Sequence, residues 1–222
     1  MAKSARKLLE AIQEELAPME GDNRLVPLIE RGEPPVSVFA TIAGEESHIV
    51  RSDLRSMYFL AARAGEHNAV EFFAGLAQGE AIAQTKLPAL AAAGGMDDDE
   101  LRDYEPMAGC QAYPSYFAWL ALNGEIADVL LGVVANFAAW GDYCGRVAKA
   151  MREKYGLDDE ACAFFDFFAE PIPDAVEQAI TAAQAGMDAG HHDERAAHRY
   201  GRLFQSYELM FWNTIASPPP RN

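Results

Sequence analysis

The chain has 222 residues, half of them hydrophobic, and carries 18 Lys and Arg against 34 Asp and Glu, a formal net charge of −16. That length and apolar content suffice for one folded domain with a sizeable core. The acids are spread along the whole chain, which argues against nucleic acid or an anionic membrane as partner, because both demand clustered positive charge.

Helical periodicity dominates, strand-like alternation is rare, and Gly or Pro punctuates at intervals suited to long helices, so the pattern predicts an all-α, single-domain, multi-helical bundle over residues 1–222. Residues 1–20 hold an amphipathic N-terminal helix, from about Ser4 to Ala17, that mixes Lys3, Arg6, Glu10 and Glu14 with Leu8, Leu9 and Ile12; it does not read as a signal peptide. A short helix follows at Arg24 to Arg31, and Gly32-Glu33-Pro34-Pro35 ends it. The spacing of Val38, Ile42, Ile49, Val50, Leu54, Met57 and Leu60 predicts a long helix from Val36 to Ala64. Another covers His67 to Ala93, interrupted or bent near Pro88, and the acidic stretch Asp97 to Glu105 reads as a loop or a short solvated turn. After Pro106 comes a ring-rich helix with Tyr113, Tyr116, Phe117 and Trp119, where Pro114 fits only near the start.

Glu125 to Tyr155 reads as one long helix; its greasy run, Ile126 to Trp140, is too short to span a bilayer and contains Asp128 and Asn136. Asp158 to Ala169 is short and rich in Phe, a helix at Asp174 to Met187 follows Pro171 and Pro173, and the closing helix runs from about Asp193 to Ala216. Residues 217–222, with Pro218, Pro219 and Pro220, form a tail. Three cysteines, Cys110, Cys144 and Cys162, have no paired or zinc-like spacing, which predicts reduced thiols and a cytoplasmic location.

Few motifs carry chemistry. No Gly-rich phosphate loop, Ser elbow or basic aromatic strip is present, which removes nucleotide-binding and most hydrolase templates. Glu45-x-x-His48 has the one-turn spacing used in carboxylate-bridged di-iron bundles, but no further Glu and His pair accompanies it, so neither a metal nor another cofactor is expected. What remains is a set of carboxylates, Glu46, Glu80 and Glu208, on helices that also supply Tyr113, Trp140 and the Phe164 to Phe168 cluster. Glu208 stands out: Phe204, Phe211 and Trp212 lie one turn away, so its own helix face is mostly apolar, and an acid there is either paired or suited to moving protons.

In their order these segments resemble the TenA, or thiaminase II, family, from about Asn23 to Trp212. Three pieces carry the resemblance: Gly32 to Val50, which looks like the family's Gly-x-x-Pro…Phe…Gln-Asp segment; Cys110-Gln-Ala-Tyr113; and Ser206-Tyr-Glu208 with Phe211-Trp212. The resemblance implies the haem-oxygenase-like helical fold, with Glu208 as catalytic acid/base. It also implies a substrate pocket built from Tyr113, from Glu46 in place of an aspartate that holds an aminopyrimidine ring, and from Trp140 and Phe168 at positions of pocket tyrosines. The family's nucleophilic cysteine should lie about one turn before Trp140, where this chain has Asn136, and an amide cannot form the covalent intermediate.

The expectation is therefore a hydrolase or aminohydrolase acting on a small aminopyrimidine-type metabolite, as in thiamine salvage, with Asn136 lining its pocket. The alternatives are a non-catalytic small-molecule-binding protein of the same fold and an iron-dependent oxygenase of that fold. Relatives of this fold commonly form homo-oligomers, so a dimer or tetramer is expected, with no nucleic-acid or membrane partner.

Overall fold

The computed structural model describes residues 4–218, in which twelve helices and no strands occur. In chain order they are α1 (Ala5–Glu15), α2 (Leu25–Glu30), α3 (Ser37–Arg63), α4 (His67–Gln84), α5 (Leu87–Ala93), α6 (Asp98–Arg102), α7 (Ala108–Asn123), α8 (Ile126–Val134), α9 (Phe137–Tyr155), α10 (Asp159–Ala169), α11 (Pro173–Asp188) and α12 (Glu194–Ala216). The expected all-α fold is what the chain adopts. Of the expected tail, residues 219–222 lie outside the described residues, as do residues 1–3 of the N-terminal segment.

Side chains that satisfy free backbone N–H groups fix where several helices begin. Ser4 accepts from Lys7, Asp158 from Ala161 and Asp193 from Arg195, each on the first turn of its helix. Asp97 and Glu100 form a reciprocal capping box, which turns the acidic stretch expected to be a loop or short turn into the five-residue α6. Gly156, at a φ of 65°, ends α9 in the left-handed conformation that costs other residues most.

Two further expectations are corrected and a third is located. The helix expected over Glu125 to Tyr155 is interrupted at Ala135–Asn136, where the Asn136 N–H bonds the Val133 carbonyl, three residues back instead of four. The interruption expected near Pro88 falls at Thr85–Lys86, between α4 and α5, and places Pro88 in the first turn of α5. Pro114 lies not at the start of α7 but well inside it, buried, where its missing N–H cannot serve the Cys110 carbonyl.

α3 runs through the centre, packing on α4, α5 and α7, while α12 closes the other side against α7 and α8. α11 bridges α4 and α8, and α10 packs on α9 and α5. The buried side chains form two bodies. One gathers Leu8, Ile12, Phe72, Phe73, Phe117 and Leu130; the other gathers Phe39, Ile42, Val147, Phe164, Phe165 and Trp212. Tyr113 packs against both, and a large cavity lies beside it.

Candidate functional site

The cavity encloses about 1100 Å³, enough for a small metabolite, and most of its wall is apolar. Phe72, Phe137, Trp140, Phe168 and Phe204 supply rings; Glu46, Asp53, Glu80, Tyr113, Asn136 and Glu208 supply polar groups. The six residues singled out from the sequence, Glu46, Tyr113, Asn136, Trp140, Phe168 and Glu208, thus all line one chamber although they come from five helices and the α8–α9 break.

Glu208 is anchored from both sides. The Asn136 side-chain amide donates to Oε2, and the Trp212 indole N–H, one turn further along α12, donates to Oε1 at 3.3 Å. The carboxyl is only 4% exposed, and burial pushes it up to about 7 while the two hydrogen bonds pull it down. A group that titrates near 7 can both take and give a proton.

A close approach of two helices brings Asn136 and Glu208 together. A Cβ on Gly132 of α8 would lie 3.0 Å from the Tyr200 Cβ and 3.1 Å from the Gly201 nitrogen, so α8 and α12 meet nearly backbone to backbone. One turn beyond Gly132, the helix break aims Asn136 at the α12 carboxylate. The side-chain Oδ1 of Asn136 is buried without a partner.

The rest of the polar lining is acidic. Glu46 and Asp53 lie seven residues apart on one face of α3, and Glu80 joins them from α4. Burial, first, and then the neighbouring carboxylates raise Glu46 and Asp53 well above the usual carboxylate range, and burial raises Glu80 as well. The Tyr113 hydroxyl hydrogen-bonds Asp53 and is itself held protonated by burial and by the carboxylates around it. The sequence singles out Glu80 without assigning it to the pocket, and Asp53 escapes notice there; the seven-residue spacing from Glu46, two turns along the same helix face, is the available signal.

Aromatic packing orders the wall. Trp140 stands between Phe168 at 5.7 Å and Trp212 at 5.5 Å between ring centroids, and Tyr113 meets Phe204 edge-on at 4.7 Å. The α10–α11 connection, with Glu170, Pro171 and Ile172, continues the lining, and Lys86 lies over the Phe167 ring at 5.8 Å.

Glu45 and His48, the pair considered for iron, do not line the cavity. Glu45 accepts from the Tyr104 hydroxyl at 3.1 Å, the Met107 N–H at 2.8 Å and the Gln111 amide at 2.9 Å, and His48 Nε2 pairs with the Tyr104 carbonyl at 3.0 Å. Both are thus engaged in fixing the segment before α7 against α3. No thiol reaches the chamber either. Cys110 and Cys144 are fully buried, burial raises both thiols, and Cys110 donates to the Phe211 carbonyl at 3.8 Å.

No protein-family model and no curated protein matches the chain. Solved structures do match. A TenA family transcription regulator from Silicibacter sp. TM1040 shares 17% identity with a TM-score of 0.72, over 96% of this chain and 97% of that one. The TenA homologue from P. horikoshii OT3 shares 15% identity with a TM-score of 0.67, over 95% of each chain. A domain of unknown function with a haem-oxygenase-like fold from Shewanella denitrificans shares 14% identity with a TM-score of 0.57, over 98% of this chain and 95% of that one. The chain therefore has the haem-oxygenase-like fold of TenA homologues.

Proposed function

We propose that the protein is a TenA-like hydrolase that removes an amino group from a small aminopyrimidine-type metabolite, with Glu208 as its proton acceptor and donor. The observation that carries this reading is the buried Glu208 carboxyl, held by Asn136 and Trp212 at the wall of the aromatic cavity and raised to about 7. The TenA names of the structural neighbours support it from the side of the fold.

With no thiol at the cavity, the attacking group is water. Glu208, ionised, takes a proton from a water molecule as its oxygen bonds the ring carbon bearing the amine; the C–N bond then breaks as Glu208 returns that proton to the departing nitrogen, releasing ammonia. Asn136 holds the carboxylate in place through its side-chain N–H, and Glu46 accepts from a ring or exocyclic N–H of the substrate. Trp140, Phe168 and Tyr113 form the walls between which a flat ring lies. The three buried thiols favour a reducing compartment, in keeping with a cytoplasmic enzyme.

The test is ammonia release from 4-aminopyrimidines by purified protein. Wild type should turn over with a rate that rises through about pH 7 as the carboxylate forms, and Glu208→Gln should lower it by about a hundredfold to ten-thousandfold. No turnover, together with binding that Glu208→Gln leaves unaltered, overturns the proposal. A second reading, a binding protein without catalysis, is favoured by Asn136 standing where the resembling family has its nucleophile; tight binding of an aminopyrimidine recovered unchanged would select it.

A further inference from the structure

The cavity is larger than a single ring needs. Pockets of about 300–1,000 Å³ enclose drug-sized molecules, so one six-membered ring beside Trp140 leaves most of the about 1100 Å³ unfilled. The lining also spans both core bodies. Trp140 and Phe168 pack against the body that contains Trp212, whereas Met57, Val133 and Val134 belong to the other, against which Leu76 and Val176 also pack. Apolar side chains that face empty space lose their dispersion contacts on that side, so this second arm favours an apolar occupant.

One face of α4 is bare along this arm. Glu71, Gly75, Gly79 and Ile82 follow one another at steps of four, four and three residues, so they share a face, and all four line the cavity. Glycine inside a helix destabilises it relative to alanine, and a close approach is the usual reason for one. Gly44, Gly109, Gly132, Gly186 and Gly201 have that reason, since a Cβ on any of them would come between 2.2 and 3.0 Å from another residue. A Cβ on Gly75 would meet nothing within 4 Å, and one on Gly79 would meet only the Phe167 Cζ at 3.7 Å, an ordinary contact. Packing does not require these two glycines, whereas an open track along α4 does. Ile82 and Ile172, 49% and 43% exposed, also line the cavity and give it an apolar entrance.

Two polar atoms on the wall define what the rest of the occupant brings. Asn136 Oδ1 and Asp53 Oδ1 are buried without a hydrogen-bond partner, on residues 4% and 3% exposed, and a group that donates to either relieves an uncompensated acceptor. No Lys, Arg or His among the described residues lines the cavity, so a carboxylate or phosphate finds no counter-charge there. We propose that the cavity binds a neutral, hydrogen-bond-donating head on an unbranched aliphatic chain, with the chain lying along the Gly75–Gly79 face of α4. The chemistry of the head beside Glu208 rests on the proposed function; the chain stands on the apolar arm and the two glycines alone.

Calorimetric titration of the wild-type protein with straight-chain primary amides, from propanamide to octanamide, tests the chain without any ring. Affinity should rise about threefold for each added methylene, the gain expected when a CH₂ leaves water for an apolar wall. Octanoate at pH 8 has the same number of carbons but a charged head that donates nothing, and it should bind at least about tenfold more weakly than octanamide. Gly75→Leu combined with Gly79→Leu should cut the dependence to about 1.5-fold per methylene or less. Gly75→Ala and Gly79→Ala should each melt no lower than wild type, because the added Cβ meets open space and alanine favours the helix. Affinity that ignores chain length overturns the proposal, and binding of 4-aminopyrimidine alongside that result leaves the ring reading standing. Chain-length dependence without any binding of 4-aminopyrimidine keeps the chain and removes the aminopyrimidine. Octanoate binding as tightly as octanamide overturns the neutral head, and a full dependence in the double Leu variant overturns the placement on α4. Ala variants that melt below wild type would show that packing holds the glycines, which also overturns that placement.

Discussion

Glu208 costs the protein stability in its ionised state, the state from which the proposed mechanism starts. Its carboxyl is raised from 4.5 to about 7, so the folded chain binds the proton more tightly than the unfolded chain does. The stability this gives is fully present below about 4.5 and is lost as pH rises through about 7, a difference on the order of 3 kcal/mol at 1.36 kcal/mol per pH unit. Glu208→Gln should therefore melt higher than wild type at pH 8 and no higher at pH 4, measured by thermal unfolding at both values. A variant that melts at or below wild type at pH 8 would mean that the carboxyl is not desolvated. Residues kept at a stability cost are more often functional than structural, which adds weight to Glu208 and, by the same reasoning, to Asp53. Asp128 offers a contrast. Its carboxyl is pushed up to about 6 by burial, yet both oxygens accept from the Asp193 N–H, at 3.2 and 3.0 Å, so it anchors the start of α12 and has no free acceptor for a ligand.

Between elements, close approaches at glycine decide where the site's side chains end up. A Cβ on Gly94 would lie 2.2 Å from the Ala40 nitrogen, a backbone atom that cannot swing aside, where the end of α5 crosses α3. Gly94→Ala should destabilise the fold by about 1–3 kcal/mol, read as a lower midpoint in urea, and shift α3, which carries Glu46 and Asp53. Gly44 works similarly against the Tyr104 ring, which a Cβ at that position would meet at 2.5 Å; its absence lets Tyr104 lie flat on α3 with its hydroxyl reaching Glu45. The legibility of elements followed from their periodicity. Ten or more residues of regular apolar spacing place α3, α7 and α12 to within a residue or two, whereas the interruption at Ala135–Asn136 has no Gly or Pro to mark it. That break is a one-residue change of hydrogen-bond partner inside an apolar run, and only packing against α12 selects it.

At the scale of the whole molecule, every cysteine is sealed in the core, at 0% exposure for all three, so the folded protein should be inert to a thiol reagent such as 5,5′-dithiobis(2-nitrobenzoate) and expose three reactive thiols in denaturant. Labelling of a native thiol would contradict that burial. None of the helices among the described residues is long and apolar enough to cross a membrane. Instead, α7 and α12 turn an aromatic face outward: Tyr116 stacks on Trp119 and touches Tyr207, and Trp119, Leu122 and Met210 are 48%, 64% and 43% exposed. Such a face supports the expected homo-oligomer, and sedimentation of wild type against Leu122→Glu checks it: a smaller species for the variant is the expected outcome.

Apolar spacing and a family-like order of segments are properties of the chain alone, and they suffice for the helical class, for most helix boundaries and for the six residues that meet around the cavity. What those residues face is a matter of packing. Glu45 and Glu46 are adjacent in sequence and alike in chemistry, yet one is consumed by the segment from Tyr104 to Gln111 and the other opens into the chamber, since successive helical positions point about 100° apart. Asp53 and Glu80 came onto one cavity wall only when α3 packed on α4, and burial, which no sequence pattern measures, raised both carboxyls above the ordinary range for such acids.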